Sequence, residues 1–102
     1  GEKICTDRGE SWTFGIIIRD PGIYRLTLAA SAEGGKLAQI PVSVFLNGAL
    51  KGSITVNGTD GKVIEMDQSL GEIFFPNNYV RIYFAQSGMK IQNLKIWKEK
   101  GD

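Results

Sequence analysis

The sequence predicts an all-β domain, an antiparallel β-sandwich of about eight short strands. Three observations lead there. Apolar residues recur at every second position in run after run, the period of a half-buried strand rather than that of a helix. Turn residues (Asp-Pro-Gly, Asn-Gly, Pro-Asn-Asn) punctuate these runs at short intervals. No stretch carries helical periodicity over a useful length. At 102 residues the chain makes a single module, 1–102. A chain of this size buries roughly two thirds of its unfolded surface, enough for one core without disulfides or metals.

The first long strand lies in "SWTFGIIIRD". Trp12, Phe14, Ile16 and Ile18 share one face, and Thr13, Gly15 and Ile17 the other. "DPG" (20–22) turns the chain: Pro21 fixes φ and Gly22 accepts positive φ. The next strand turns Tyr24, Leu26, Leu28 and Ala30 inward, with Ile23, Arg25 and Thr27 opposite, and leaves through a flexible "SAEGGK". In "IPVSVFL" the inward set is Ile40, Val42, Val44 and Leu46. Pro41 has no N–H to give a neighbour, which predicts an edge strand or a bulge. Asn47-Gly48 marks a hairpin, and the return strand "GSITV" puts Ile54 and Val56 inside.

After the polar loop "NGTDGK" (57–62), "VIEMD" and "GEIFF" read as two short strands. "PNN" (76–78) turns into "YVRIYFA", with Val80, Ile82 and Phe84 on one face and Tyr79, Arg81 and Tyr83 on the other. "QSG" turns again, and "MKIQNLKIWK" closes the domain. Ile91 and Leu94 face inward together only if one residue between them is extra, so a bulge is expected near Gln92–Asn93. Beyond it Leu94 and Ile96 go in, while Lys95 and Trp97 go out.

Composition removes several kinds of chemistry. Twelve Lys and Arg against 11 Asp and Glu leave a net charge of +1 with the basic residues scattered, which argues against nucleic acid as a partner. There is no histidine, the commonest general base and zinc ligand. The single cysteine, Cys5, excludes an internal disulfide. No apolar run approaches the roughly 18 residues of a membrane span, and no signal peptide is visible. Gly1 followed by "EKICTDRG" reads as the start of a piece excised from a longer multidomain protein.

Glu65 and Asp67 stand two apart, hence on one face of a strand and roughly 6–7 Å from each other. Such a pair suggests glycoside hydrolysis, but nothing nearby is suited to raise either pKa, so the pair reads as an exposed polar face. The loop acids Asp7, Glu10 and Asp60 are potential calcium ligands, but their spacing matches no calcium-binding loop. The module is therefore expected not to be an enzyme and to need no cofactor.

Of the ten aromatics, nine take a position from phase. Phe14, Tyr24 and Phe84 fall on core faces, with Trp12 in the same phase at the rim. Phe45, Phe74, Tyr79, Tyr83 and Trp97 fall on outer faces or near strand ends. An exposed ring is a platform for the C–H face of a sugar, and Asn, Gln or Arg supply directional hydrogen bonds. Tyr79, Arg81, Tyr83 and Trp97, with Gln92 or Asn93, form such a set if the two C-terminal strands approach each other. Contact with another domain or subunit, or plain surface packing, are the other readings of the same residues.

The order of the pieces resembles the carbohydrate-binding modules of the family 6 and family 35 type. The resemblance covers about residues 10–98: "ESWTFGIIIRDPGIYRLTLAASAEGG", "IPVSVFLNGALKGSITVNGTDGK" and "SLGEIFFPNNYVRIYFAQSGMKIQNLKIW". The chain is also similar to the β-sandwich that follows the catalytic barrel in bacterial α-L-fucosidases and related glycosidases. These resemblances imply a β-jelly roll of the galactose-binding-like type. Ligand would bind at the loops of one rim or across a sheet face. Asn93, with Gln92 beside it, matches the family's rim asparagine, and Trp12 its structural tryptophan. They also imply a glycan and a catalytic domain of the same polypeptide as partners, and a secreted, periplasmic or cell-surface home. The alternative they imply is a purely structural domain packing against a glycoside hydrolase barrel or a second subunit. The family's acidic, calcium-binding first strand is replaced here by "GEKICTD", and Lys95 stands where an acid commonly follows Asn-Leu, so a structural calcium site is not expected to be complete.

Overall fold

Alternation closes into two four-stranded sheets laid face to face. The computed structural model describes residues 4–32 and 39–100. Most of the exit segment "SAEGGK" and the Cys5 side chain lie outside the described residues. In chain order the strands are β1 (Ile4–Cys5), β2 (Glu10–Ile17), β3 (Gly22–Ala32), β4 (Gln39–Leu46), β5 (Ala49–Asn57), β6 (Ile64–Ile73), β7 (Asn77–Phe84) and β8 (Met89–Lys98). The first sheet runs β1-β8-β3-β6, the second β2-β7-β4-β5, and every pairing is antiparallel.

The inward positions read from the sequence make the core. Leu26, Leu28 and Ala30 of β3 with Leu70, Met89 and Ile91 face Val42, Val44 and Leu46 of β4 with Val80, Ile82 and Phe84 of β7. Each large side chain buried in this way contributes roughly 1.5–3 kcal/mol. Trp12 packs edge-on against Phe84, ring centroids 4.9 Å apart, at the rim of that core.

The bulge in β8 is present. Ala29 pairs with Asn93 and Ala30 with Ile91, leaving Gln92 as the extra residue. Three local readings are corrected. "VIEMD" and "GEIFF" belong to one strand, β6, which a bulge at Leu70 carries past its partner while turning that leucine fully inside. Pro41 is neither on an edge strand nor in a bulge. β7 pairs with β4 only from Val42 onward, so the absent N–H has no ladder to break, and the Pro41 carbonyl still accepts from Ala85 N at 3.1 Å. Gly22 does not take positive φ. It opens β3, and a Cβ there would come within 2.5 Å of the Lys98 side chain. Asn47 (φ 51°) and Gly48 (φ 86°) do form the expected hairpin turn.

One open side of the sandwich, between β5 and β6, is closed by a side chain. The Gln68 amide lies over Gly52 and donates to the carbonyls of Lys51 (3.2 Å) and Ser69 (3.0 Å). A Cβ at Gly52 would sit 2.5 Å from that amide, so the close approach requires glycine. No helix among the described residues is long and apolar enough to cross a membrane.

Candidate functional site

The topology divides the six expected site residues between two outer faces. β7 belongs to the second sheet and β8 to the first, so the two C-terminal strands do not pair and the six do not form one site. Tyr79, Arg81 and Tyr83 stay together on the outer face of the second sheet. Asn93 and Trp97 are on the outer side of the first, with Gln92 at its bulge.

On the second sheet, cross-strand register sets what surrounds each ring. Tyr79 stands beside Gly15, and Tyr83 between Ser11 and Ser43. Small neighbours flank both rings; Tyr79 is 48% exposed and Tyr83 is half-buried. Four residues along one strand separate the two tyrosines by about 13 Å. Arg81 lies between them, its guanidinium 4.3 Å from the centroid of the Phe45 ring and its Nη1 donating to Ser11 Oγ at 3.3 Å. Stacking on Phe45 holds the guanidinium in place and leaves further N–H donors for a ligand. The Tyr79 backbone is fixed to the hairpin: its N–H donates to Asn47 Oδ1 and its carbonyl accepts from Asn47 N, each at 2.9 Å.

On the first sheet, Trp97 donates its indole N–H to Thr27 Oγ1 at 2.8 Å, and Thr27 donates to Asp67 Oδ1 at 2.6 Å. The ring borders an open groove of about 690 Å³ lined by Gly22, Ile23, Lys98, Glu99 and Lys100. Lys98 pairs with Asp20 at 2.7 Å, and this hydrogen bond holds its ammonium above the usual lysine range. Asn93 is exposed, whereas Gln92 Nε2 is buried and meets no hydrogen-bond acceptor among the described residues.

Asp67 is engaged by Thr27, and Glu65 lies two residues away with no third acid gathered beside it. Glu10 accepts the Trp12 indole N–H and the Asp7 backbone N–H, the two bonds that lower its pKa, the first more than the second. Among the described residues no three of His, Cys, Asp and Glu gather closely enough to hold a metal ion.

Alternation turns Phe45 outward but does not reveal that its ring carries Arg81. By alternation Thr27 is likewise an ordinary outer residue, with no sign that it bonds Trp97 and Asp67. Both roles depend on which strands become neighbours, a fact that alternation within one strand does not contain. The nearest signal was Thr27 sharing its phase with Arg25 on the outer face.

No protein-family profile matches the chain. A β-glucosidase from Ruminococcus albus is 30% identical over 95 residues, which are 93% of this chain and 10% of the enzyme. The chain thus spans about a tenth of the length of that relative. Among solved structures, the C-terminal family 6 carbohydrate-binding module of a marine laminarinase from Zobellia galactanivorans superposes with a TM-score of 0.74 at 18% identity, covering 90% of this chain and 75% of the module. A family 35 carbohydrate-binding module from Clostridium thermocellum gives 0.72 at 19% identity, covering 91% and 73%. The two faced sheets, with their outward tyrosines and tryptophan, are thus built on the fold of the family 6 and family 35 carbohydrate-binding modules.

Proposed function

We propose that the chain is a non-catalytic carbohydrate-binding module of a glycoside hydrolase, and that residues 1–102 are one domain of a longer polypeptide. The observation that carries this reading is the Tyr79–Arg81–Tyr83 face. Two rings stand beside small neighbours, Tyr79 open and Tyr83 half-buried, and a cation held by Phe45 lies between them. Sugar C–H faces stack on the tyrosines, and Arg81 with the Ser11 and Ser43 hydroxyls selects among sugar hydroxyls. Such binding needs no cofactor. A single shallow face binds weakly, and tethering to a catalytic domain raises the effective concentration of glycan. Trp97, Asn93 and Gln92 form a second, separate candidate on the first sheet.

The relative found by sequence makes a β-glucosidase type of parent enzyme better supported than the α-L-fucosidase type. A secreted, periplasmic or cell-surface location belongs to the same reading, since polymeric glycan is met there. The rival, a structural domain packed against a catalytic barrel, is favoured by exposed apolar side chains at one end of the sandwich.

A glycan array followed by titration calorimetry tests the proposal. Retention of one class of oligosaccharide by the wild type, lost in Tyr79→Ala and Tyr83→Ala with thermal stability intact, supports it. Absence of glycan binding, or binding indifferent to both substitutions, removes this face as the site.

A further inference from the structure

We infer that the end of the sandwich carrying the β2–β3 and β6–β7 turns is a docking face for the catalytic part of the same polypeptide; this rests on the reading above only for the identity of the neighbour. Among the described residues, nine large apolar side chains are exposed; apart from the candidate sugar platforms Tyr79 and Trp97, five of them, Ile17, Ile23, Leu50, Phe74 and Phe75, lie toward this end. The most open are Phe75 (72%), Ile17 (68%) and Phe74 (62%). Single exposed apolar residues are ordinary on a protein surface. Gathering at one end marks a contact site.

The turn that presents them is rigid. Asn78, itself buried, donates to the Phe75 carbonyl at 2.7 Å and accepts from Asn47 Nδ2 at 2.8 Å. Ile18 N donates to the Pro76 carbonyl at 2.8 Å. The phenyl rings are therefore held out by a fixed backbone. The same bonds consume polar groups that a sugar would need. Ile17 and Ile23 add aliphatic surface beside the phenyl rings, and an apolar patch of mixed character whose neighbouring polar groups are already bonded suits a protein surface. Paired residues at its margin are polar: Asn77 faces Ile17 and Glu72 faces Ile23. An apolar centre with a polar rim is the usual anatomy of a protein contact. In the β-glucosidase relative the matching part is only 10% of the chain, which supplies a large neighbour in the same molecule.

Hydroxyl-radical footprinting of Phe74 and Phe75 tests this, with the 102-residue chain compared to the full-length polypeptide that carries it. Oxidation of both rings is expected to be at least tenfold slower in the full-length protein. In a full-length Phe75→Asp variant, Phe74 should regain the rate seen in the module. Equal rates in module and full-length protein overturn the inference, with no variant required. So does a module that dimerises by light scattering and is dispersed by Phe75→Asp, because the face then belongs to a second copy. Glycan binding is read separately on the tyrosine face. Protection without glycan binding sinks the binding proposal alone, and glycan binding without protection sinks the docking inference alone.

Discussion

Trp97 on β8 gives its indole N–H, over 2.8 Å, to the hydroxyl of Thr27 on β3, a diagonal neighbour two residues along from its register partner Arg25. Thr27 in turn donates to Asp67 on β6, so one buried hydroxyl accepts once, donates once and ties three strands together. Thr27→Val keeps the shape and removes both bonds. The expected cost is about 1–3 kcal/mol, with a melting temperature lower by several degrees. In a Trp12→Phe background, Trp97 emission should shift to the red as its indole N–H loses the partner. Denaturant titration and emission spectra check both. Asp67→Asn retains an acceptor for Thr27 and should cost less.

The tyrosine face makes its own forecast. Tyr83→Ala should weaken glycan affinity at least tenfold, about 1.4 kcal/mol. Tyr79→Ala, at a half-exposed position, should change stability by no more than about 0.5 kcal/mol. Phe45→Leu removes the ring under Arg81 and should weaken binding less than Tyr83→Ala does. Calorimetry on the three variants ranks them.

Gly52 and Gln68 are coupled across the open side of the sandwich. Gly52→Ala forces the Gln68 amide off the Lys51 carbonyl, and Gln68→Ala removes the obstruction. A double-mutant cycle in urea should show that Gly52→Ala costs less when Gln68 is already alanine. The coupling energy should be about 0.5–3 kcal/mol. Simple additivity would mean that the amide moves aside freely.

Acid should expose the role of Glu10. Its carboxyl titrates below the ordinary 4.5, because the Trp12 indole N–H, and then the Asp7 backbone N–H, favour the charged form. A folded value below the unfolded one gives stabilisation that is complete above the unfolded value and lost as pH falls through the folded one. Urea midpoints measured from pH 6 to pH 3 should therefore fall more steeply for the wild type than for Glu10→Gln. The gap between the two proteins should close at the acid end.

Much of the fold was legible because each strand is half buried and alternation alone assigns its faces. Leu26, Leu28, Val80, Ile82 and Phe84 are buried as their phase requires, and the slip at Gln92 followed from counting. The bulge at Leu70 escaped because "VIEMDQSLGEIFF" keeps enough polar residues at its centre to resemble a gap between two strands. The candidate site was only half legible. Tyr79, Arg81 and Tyr83 share a strand, so phase was enough to group them. Joining them to Trp97 required β7 and β8 to be neighbours, and the crossover between sheets separates them. Phase along a strand is local information, whereas strand order is set by which faces pack in three dimensions.

The same strand order governs when the domain becomes able to fold. β3 lies between β8 and β6, strands made tens of residues later, and β7 joins β2 to β4 in the other sheet. Loop closure over such distances precedes most of the stabilising contacts and slows folding. During synthesis neither sheet is complete until its last strand has cleared the ribosome. Until β8 arrives, one hydrogen-bonding edge of β3 waits unpaired, which makes the growing chain most dependent on chaperones just before the domain is finished.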